Sequence, residues 1–164
     1  MIDLPRDRDL TEDELRTAAA ELGSRPWLWR DHVRHEPGQR TYTPLIQDEH
    51  VSAWLICWMP GHDTGFHDHD RSAASITVIE GLLREERLVL DGPPTHSTYL
   101  PGATFDVAPH DIHRVTHGGG GPAVSIHVYS PALDRSGAYT TGPDGALRRH
   151  PQDAGEELRP LVTA

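Results

Sequence analysis

Lysine is absent from the 164 residues, cysteine occurs once, and no long apolar run appears. A lone cysteine excludes an intramolecular disulfide, so stability has to come from a core. A chain of this length can build one, burying roughly two-thirds of its unfolded surface, and one domain is expected. Cys57 lies within the apolar run Val51 to Met59 and reads as a core residue, compatible with a reducing compartment. No segment approaches the roughly 20 apolar residues that span a bilayer. Residues 1–22 alternate charge with short apolar groups instead of forming a signal-peptide core, so a soluble, cytoplasmic protein is expected. Basic charge is also scarce: 15 arginines face 25 acidic residues, for a net charge of −10. That balance argues against sequence-independent nucleic-acid binding, which needs many cations on phosphates. The expected partner is a small molecule, and the expected assembly a monomer or small homo-oligomer.

Histidine is the residue in excess, with twelve copies, and imidazole is the commonest protein ligand for transition metals. Spacing decides which of them matter. Thr11 and Glu14 form a capping box, Leu15, Ala18, Ala19 and Leu22 make one apolar stripe, and Gly23 with Pro26 stops it, which predicts a helix over 12–22. Beyond Trp29 the texture turns to short β-rich runs over 40–46, 51–59, 74–79, 83–90, 97–100, 112–115 and 122–129. Asp91-Gly92-Pro93-Pro94, Pro101-Gly102 and the glycines 118–121 punctuate them, a pattern that suggests an antiparallel sandwich or barrel. After Tyr139 the chain is rich in glycine, proline and charge with weak apolar periodicity, so an irregular tail is expected over about 140–164.

Gly61-His-Asp-Thr-Gly-Phe-His67-Asp-His69 fits G-x5-H-x-H, and Pro109-His-Asp-Ile-His113 is a tight turn leading into a strand. These stretches resemble the two motifs of cupins. On a strand, His67 and His69 project to one side because side chains alternate, so both imidazoles can reach one ion at about 2.1 Å. His113 would complete a facial set that leaves open positions for substrates. The glutamate that follows the second histidine in many cupins is replaced by Ala73 and Ala74, leaving three imidazoles without a carboxylate. Such a set keeps the full charge of a divalent ion and favours an anionic thiolate, and soft sulfur with dioxygen suits iron(II). His62, His110 and His117 read as loop or supporting residues, and His32, His35, His50, His96 and His150 as surface residues.

From about Tyr42 to Tyr129 the chain resembles the cysteine dioxygenase family, on three stretches: Trp58-x-Pro-Gly-x-x-Thr-x-x-His67-Asp-His69, His113-Arg-Val, and Ser125-Ile-His127-Val-Tyr129-Ser-Pro131. The resemblance implies a cupin, all-β, a small antiparallel barrel or jelly roll with a short N-terminal helix, so that the single domain divides into an N-terminal helical segment over about 1–35 and a barrel core over about 40–131. It also implies an iron(II) cofactor on His67, His69 and His113, and a catalytic relay in which Ser125 fixes the His127 tautomer and His127 holds Tyr129 toward substrate. A cis peptide between Ser130 and Pro131 is implied as well.

Two departures from the family stand out. Ala74 occupies the place of a cysteine that, in the animal branch, is cross-linked to the relay tyrosine. The arginine that clamps the substrate carboxylate is missing from its place near Tyr42, where Thr43 and Pro44 stand. Arg40, Arg71 and Arg135 are candidate replacements in the substrate site together with Tyr42. The expected activity is therefore dioxygenation of a small thiol, with cysteine, 3-mercaptopropionate and ergothioneine all open. The alternative is a non-catalytic metal-binding cupin that senses or sequesters a small ligand, and a third reading is a cupin acting on carbon.

Overall fold

The computed structural model describes residues 2–153. Helix α1 (Glu12–Gly23) starts where the sequence predicts, with Thr11 and Glu14 satisfying each other's backbone amides. A cap of this type contributes about 1 kcal/mol. Short 3-10 turns at Pro26–Leu28 and Arg30–His32 lead to the strands.

Eleven strands follow among the described residues: β1 (Thr41–Gln47), β2 (Ser52–Trp58), β3 (His67–Asp68), β4 (Ala73–Glu80), β5 (Leu83–Arg87), β6 (Thr95–Tyr99), β7 (Thr104–Val107), β8 (His113–His117), β9 (Ala123–Ser130), β10 (Arg135–Thr141) and β11 (Leu147–Asp153). They form two antiparallel sheets, ordered β1-β2-β9-β4-β7 and β11-β10-β3-β8-β5-β6. The all-β architecture with one short N-terminal helix, expected from the texture of the sequence, is what the chain forms.

Period-two alternation splits the first sheet cleanly. On β9, Val124, Ile126 and Val128 join Ala53, Leu55 and Cys57 of β2 in an outer cluster, which the Leu15, Ala18, Ala19 and Leu22 face of α1 covers. The opposite face turns Ile56, Trp58, Ala74, Ile76, Val78, Phe105, Val107 and Tyr129 toward Leu83 and Val115 of the second sheet. The polar residues Ser125 and His127 share that inner face and are buried. Sheet one is thus covered on both faces, and the functional residues lie between the sheets.

Three local expectations need correction. The strand expected over 83–90 ends at Arg87, and Leu90 is almost fully exposed beside the turn that its Asp-Gly-Pro-Pro sequence dictates. β7 escaped the sequence reading, because four residues with one outward charge, Asp106, carry little periodicity. Most consequentially, the first part of the expected irregular tail, 140–153, belongs to a β-hairpin over 135–153, turned through Gly142 to Gly145. β11 is almost wholly exposed, so backbone pairing and ion pairs hold it in place of apolar burial, and hydrophobic periodicity could not reveal it. The remainder of that expected tail, 154–164, lies outside the described residues.

Candidate metal centre

His67, His69 and His113 are buried, and one nitrogen of each lies within 4.8 Å of the others. β3 supplies His67, His69 follows directly after it, and β8 brings His113 opposite His67. Ring centroids are 4.5 Å apart for His67 and His113, 5.0 Å for His69 and His113, and 5.2 Å for His67 and His69.

Hydrogen bonds orient the rings. Glu85 Oε1 is 3.0 Å from His113 Nδ1, and the Gly65 carbonyl is 3.0 Å from His67 Nδ1. Carboxylate and carbonyl only accept, so each Nδ1 carries the proton and each Nε2 presents a lone pair. Nε2 of His113 and Nε2 of His69 face each other at 3.3 Å. Two imidazole nitrogens each about 2.1 Å from a shared ion stand at about this separation. The donor set therefore fits a divalent transition ion, held by three imidazoles.

The sequence reading missed Glu85. It is buried on β5, where Arg87 donates to its Oε1 at 2.8 Å and the Tyr99 hydroxyl donates to its Oε2 at 3.1 Å. Arg87 is in turn held by Asp111 at 2.8 Å and by the Asp106 carbonyl. Burial and the Glu85 charge both push the Tyr99 hydroxyl up from its ordinary range. Alternation from Leu83 would have turned Glu85 inward, yet pairing with a histidine on β8 is not written in either segment.

The segment carrying His67 and His69 is tied from the other side as well. Asp68 points away from the imidazoles and receives the Tyr139 hydroxyl at 2.6 Å and the Arg149 fork at 2.7 and 2.9 Å. Burial would raise the Asp68 carboxyl, but the Arg149 and Tyr139 hydrogen bonds outweigh it and hold it at about 2. Burial and the Asp68 bond push Tyr139 up to about 12.

Ser125, His127 and Tyr129 follow one another along the inner face of β9. Ser125 Oγ is 3.0 Å from His127 Nε2, and His127 Nδ1 is 3.3 Å from the Tyr129 oxygen. Trp58, which the sequence reading used only as a motif residue, donates Nε1–H to Ser125 Oγ at 2.9 Å. Ser125 Oγ thus accepts from Trp58 and shares a second hydrogen bond with His127, whose other ring nitrogen faces Tyr129. The Tyr129 ring meets the His69 ring edge-on, with centroids 5.0 Å apart. Ala74 pairs directly with Tyr129, and the Ser130–Pro131 peptide is cis.

The substrate-binding candidates are scattered. Arg40 is buried, with its guanidinium 5.3 Å over the ring of Trp58, the residue that bonds to Ser125. Tyr42 is half-buried, edge-on to Trp54 at 5.9 Å. Arg71 is exposed and pairs with exposed Asp134 at 3.2 Å. Arg135 is exposed and shares the outward face of β10 with Gly137, opposite to the face toward His67. Pro44 lies beside Trp54, which pairs with His127, and it offers no cation there. His62 closes a turn by accepting from the Met59 amide at 2.9 Å, and His117 caps the glycine run through the Gly119 amide and Gly121 carbonyl.

Among solved structures, the chain is similar to TT1209 from Thermus thermophilus, with a TM-score of 0.56 and 21% identity over 63% of this chain and 93% of that one. It is also similar to an uncharacterized conserved protein with a double-stranded beta-helix domain from Klebsiella pneumoniae, with a TM-score of 0.54 and 18% identity over 73% of this chain and 91% of that one. These likenesses bear on the fold, which is that of the cupins. Cysteine dioxygenase type 1 of Rattus norvegicus is 24% identical over 147 residues, covering 80% of this chain and 70% of the relative. The Danio rerio protein of the same name is 26% identical over 134 residues, 73% of this chain and 65% of the relative. The family model of cysteine dioxygenase type I matches residues 1–142, which include all three histidines and the whole Ser-His-Tyr row. Spanning most of the chain, that match makes this protein a member of the cysteine dioxygenase type I family.

Proposed function

We propose that the protein is an iron(II)-dependent thiol dioxygenase that converts a small thiol to its sulfinic acid. The observation carrying this reading is the approach of the Tyr129 ring to the imidazole of His69, with His127, Ser125 and Trp58 lined up behind it. A simple metal store has no use for a hydroxyl held by a row of buried partners against one of its ligands. Family membership and the three-histidine cluster support the same reading.

His67, His69 and His113 would hold the metal. Bound iron(II) supplies the redox chemistry, in which sulfur loses four electrons, dioxygen gains four, and both oxygen atoms end in the sulfinate. The protein's own groups prepare the site. Glu85 and the Gly65 carbonyl keep two imidazoles in the tautomer whose Nε2 can bind. Trp58 and Ser125 hold the His127 ring, whose other nitrogen meets the Tyr129 oxygen. Tyr129 then orients its own O–H toward the thiol and the oxygen atoms it receives, within the buried cluster that also holds Ile76, Val107 and Val115.

Because Pro44 and Thr43 replace the carboxylate-clamping arginine, the substrate class is thiols whose recognition does not depend on that cation. Cysteine, 3-mercaptopropionate and ergothioneine remain the compounds to compare, and dioxygen is the co-substrate. The test is anaerobic loading with iron(II), followed by an oxygen-electrode screen of these thiols with cysteamine and mercaptosuccinate. Consumption of one oxygen molecule per thiol, with a product heavier by two oxygen atoms, is the expected result. An iron-loaded protein that consumes no oxygen with any of them would instead be a binding cupin.

A further inference from the structure

The C-terminal hairpin reaches the metal segment through the pairing of β10 with β3, through Tyr139 and through one arginine. Arg149 on β11 crosses β10 and grips Asp68, the residue between His67 and His69, through Nε and NH2 at 2.7 and 2.9 Å. The same guanidinium donates to Asp70 Oδ1 at 3.0 Å. Asp68 and Asp70 flank His69, and the Asp70 amide also donates to Asp68 Oδ1 at 2.9 Å. Asp70 adopts a left-handed φ of 55°, a conformation that non-glycine residues hold only when neighbours compensate. The fork therefore fastens the backbone on both sides of one ligand. Tyr139 adds its hydroxyl to Asp68 at 2.6 Å, and its amide donates to the Phe66 carbonyl at 2.8 Å, just ahead of His67.

A separate observation concerns Gly137. It pairs with Asp68 across β10 and β3, and a Cβ built on it would collide with the Arg149 guanidinium. Glycine at this position leaves the channel through which the arginine lies flat over β10. The need for such a channel is understandable, because β3 is only two residues long and pairs with β8 at His67 alone.

We propose that Arg149, admitted by Gly137, is a positioning residue for the His67-Asp68-His69 segment, and that the hairpin's place in the protein is to hold the metal site in register. Arg149 touches neither metal nor substrate, and it acts through Asp68 and Asp70 on the orientation of His69. The inference rests on the metal reading of the triad.

The experiment is anaerobic titration with iron(II), and with cobalt(II) as an optical probe, of the full chain and of Arg149→Gln, Arg149→Lys, Gly137→Ala and Arg148→Gln. Thermal unfolding of each metal-free protein runs alongside. Arg148 serves as control because its exposed pairing with Asp144 lies in the same hairpin, away from Asp68. Arg149→Gln and Gly137→Ala are expected to weaken both metals about 10- to 100-fold and to shift the cobalt absorption, with a loss of metal-free stability too small to account for the weakening. Arg149→Lys, which keeps the charge and loses the fork, should fall between. Should Arg149→Gln not fold, Arg149→Lys and Gly137→Ala carry the comparison. Unchanged affinity and spectrum in these variants, or an equal loss in Arg148→Gln, or a loss matched by metal-free destabilisation, overturns the positioning role alone. A wild-type chain that binds neither metal overturns the metal reading and this inference together.

Discussion

β9 and β3 carry the two halves of the site by opposite means. β9 is eight residues long, buried throughout, and paired along its length with β2 on one side and β4 on the other. Ser125, His127 and Tyr129 inherit their alignment from that ladder, since a strand locked on both sides cannot slip without turning every side chain over. β3 has two residues and almost no ladder, pairing with β10 at His67 and Asp68 and with β8 at His67. The metal half is held instead by hydrogen bonds of single residues: the Gly65 carbonyl to His67, Arg149 and Tyr139 to Asp68, and Glu85 to His113. The row built on regular sheet is robust and local in sequence. The metal half is a convergence of distant segments, and single side chains decide its geometry.

That contrast can be broken hardest at the triad. Replacing His113 with alanine removes one of three ligands, and metal content after loading and dialysis is expected to fall from near one ion per chain to near zero. Full retention by elemental analysis would show the ligand assignment to be wrong. Next in size is Tyr129→Phe, which should keep the ion while turnover falls about 100- to 1000-fold, the usual cost of losing one donor aimed at developing charge. An unchanged rate would leave the β9 row as a packing feature. Glu85→Gln tests the other half, with metal affinity expected to drop about 10- to 100-fold while the fold persists, because the amide can still bond but no longer holds the Nδ1 proton as strongly. Equal affinity for wild type and variant in a competition titration would assign Glu85 to the core alone. The smallest effect is expected from Trp58→Phe, which removes the donor to Ser125 at a cost of about 1 kcal/mol in stability. Its rate should fall less than that of Tyr129→Phe, and a larger fall would mean that Trp58 does more than orient Ser125.

The unequal legibility of the two halves follows from the same physics. Alternation over Ser125, His127 and Tyr129 can be read from consecutive residues of one strand, and so can the H-x-H pair and the Thr11–Glu14 cap that starts α1. The candidates for substrate binding show the limit of such reading. Arg40, Arg71 and Arg135 are all near motif residues in sequence, yet the fold buries the first over Trp58, pairs the second with Asp134, and turns the third outward. Proximity along the chain does not determine which face a side chain occupies once a turn such as that at Asp70 intervenes. Glu85 and Arg149 were overlooked for the converse reason, since they lie 28 and 81 residues from the histidine and the aspartate they hold.

The chain's local patterning was enough for the helix and most of the strands, for the H-x-H pair at His67 and His69, and for the common face of Ser125, His127 and Tyr129. All of these depend on capping, turn chemistry and period-two alternation, which act between residues a few positions apart. Only the folded arrangement decided that Glu85 orients His113, that Trp58 bonds to Ser125, and that residues expected to form an irregular tail pair into a hairpin whose Arg149 crosses a glycine to reach Asp68. Those outcomes depend on sheet order and on which exposed edge receives the last strands. Nothing in a local window encodes that choice, because β11 buries almost no apolar surface and is held by backbone hydrogen bonds and charge.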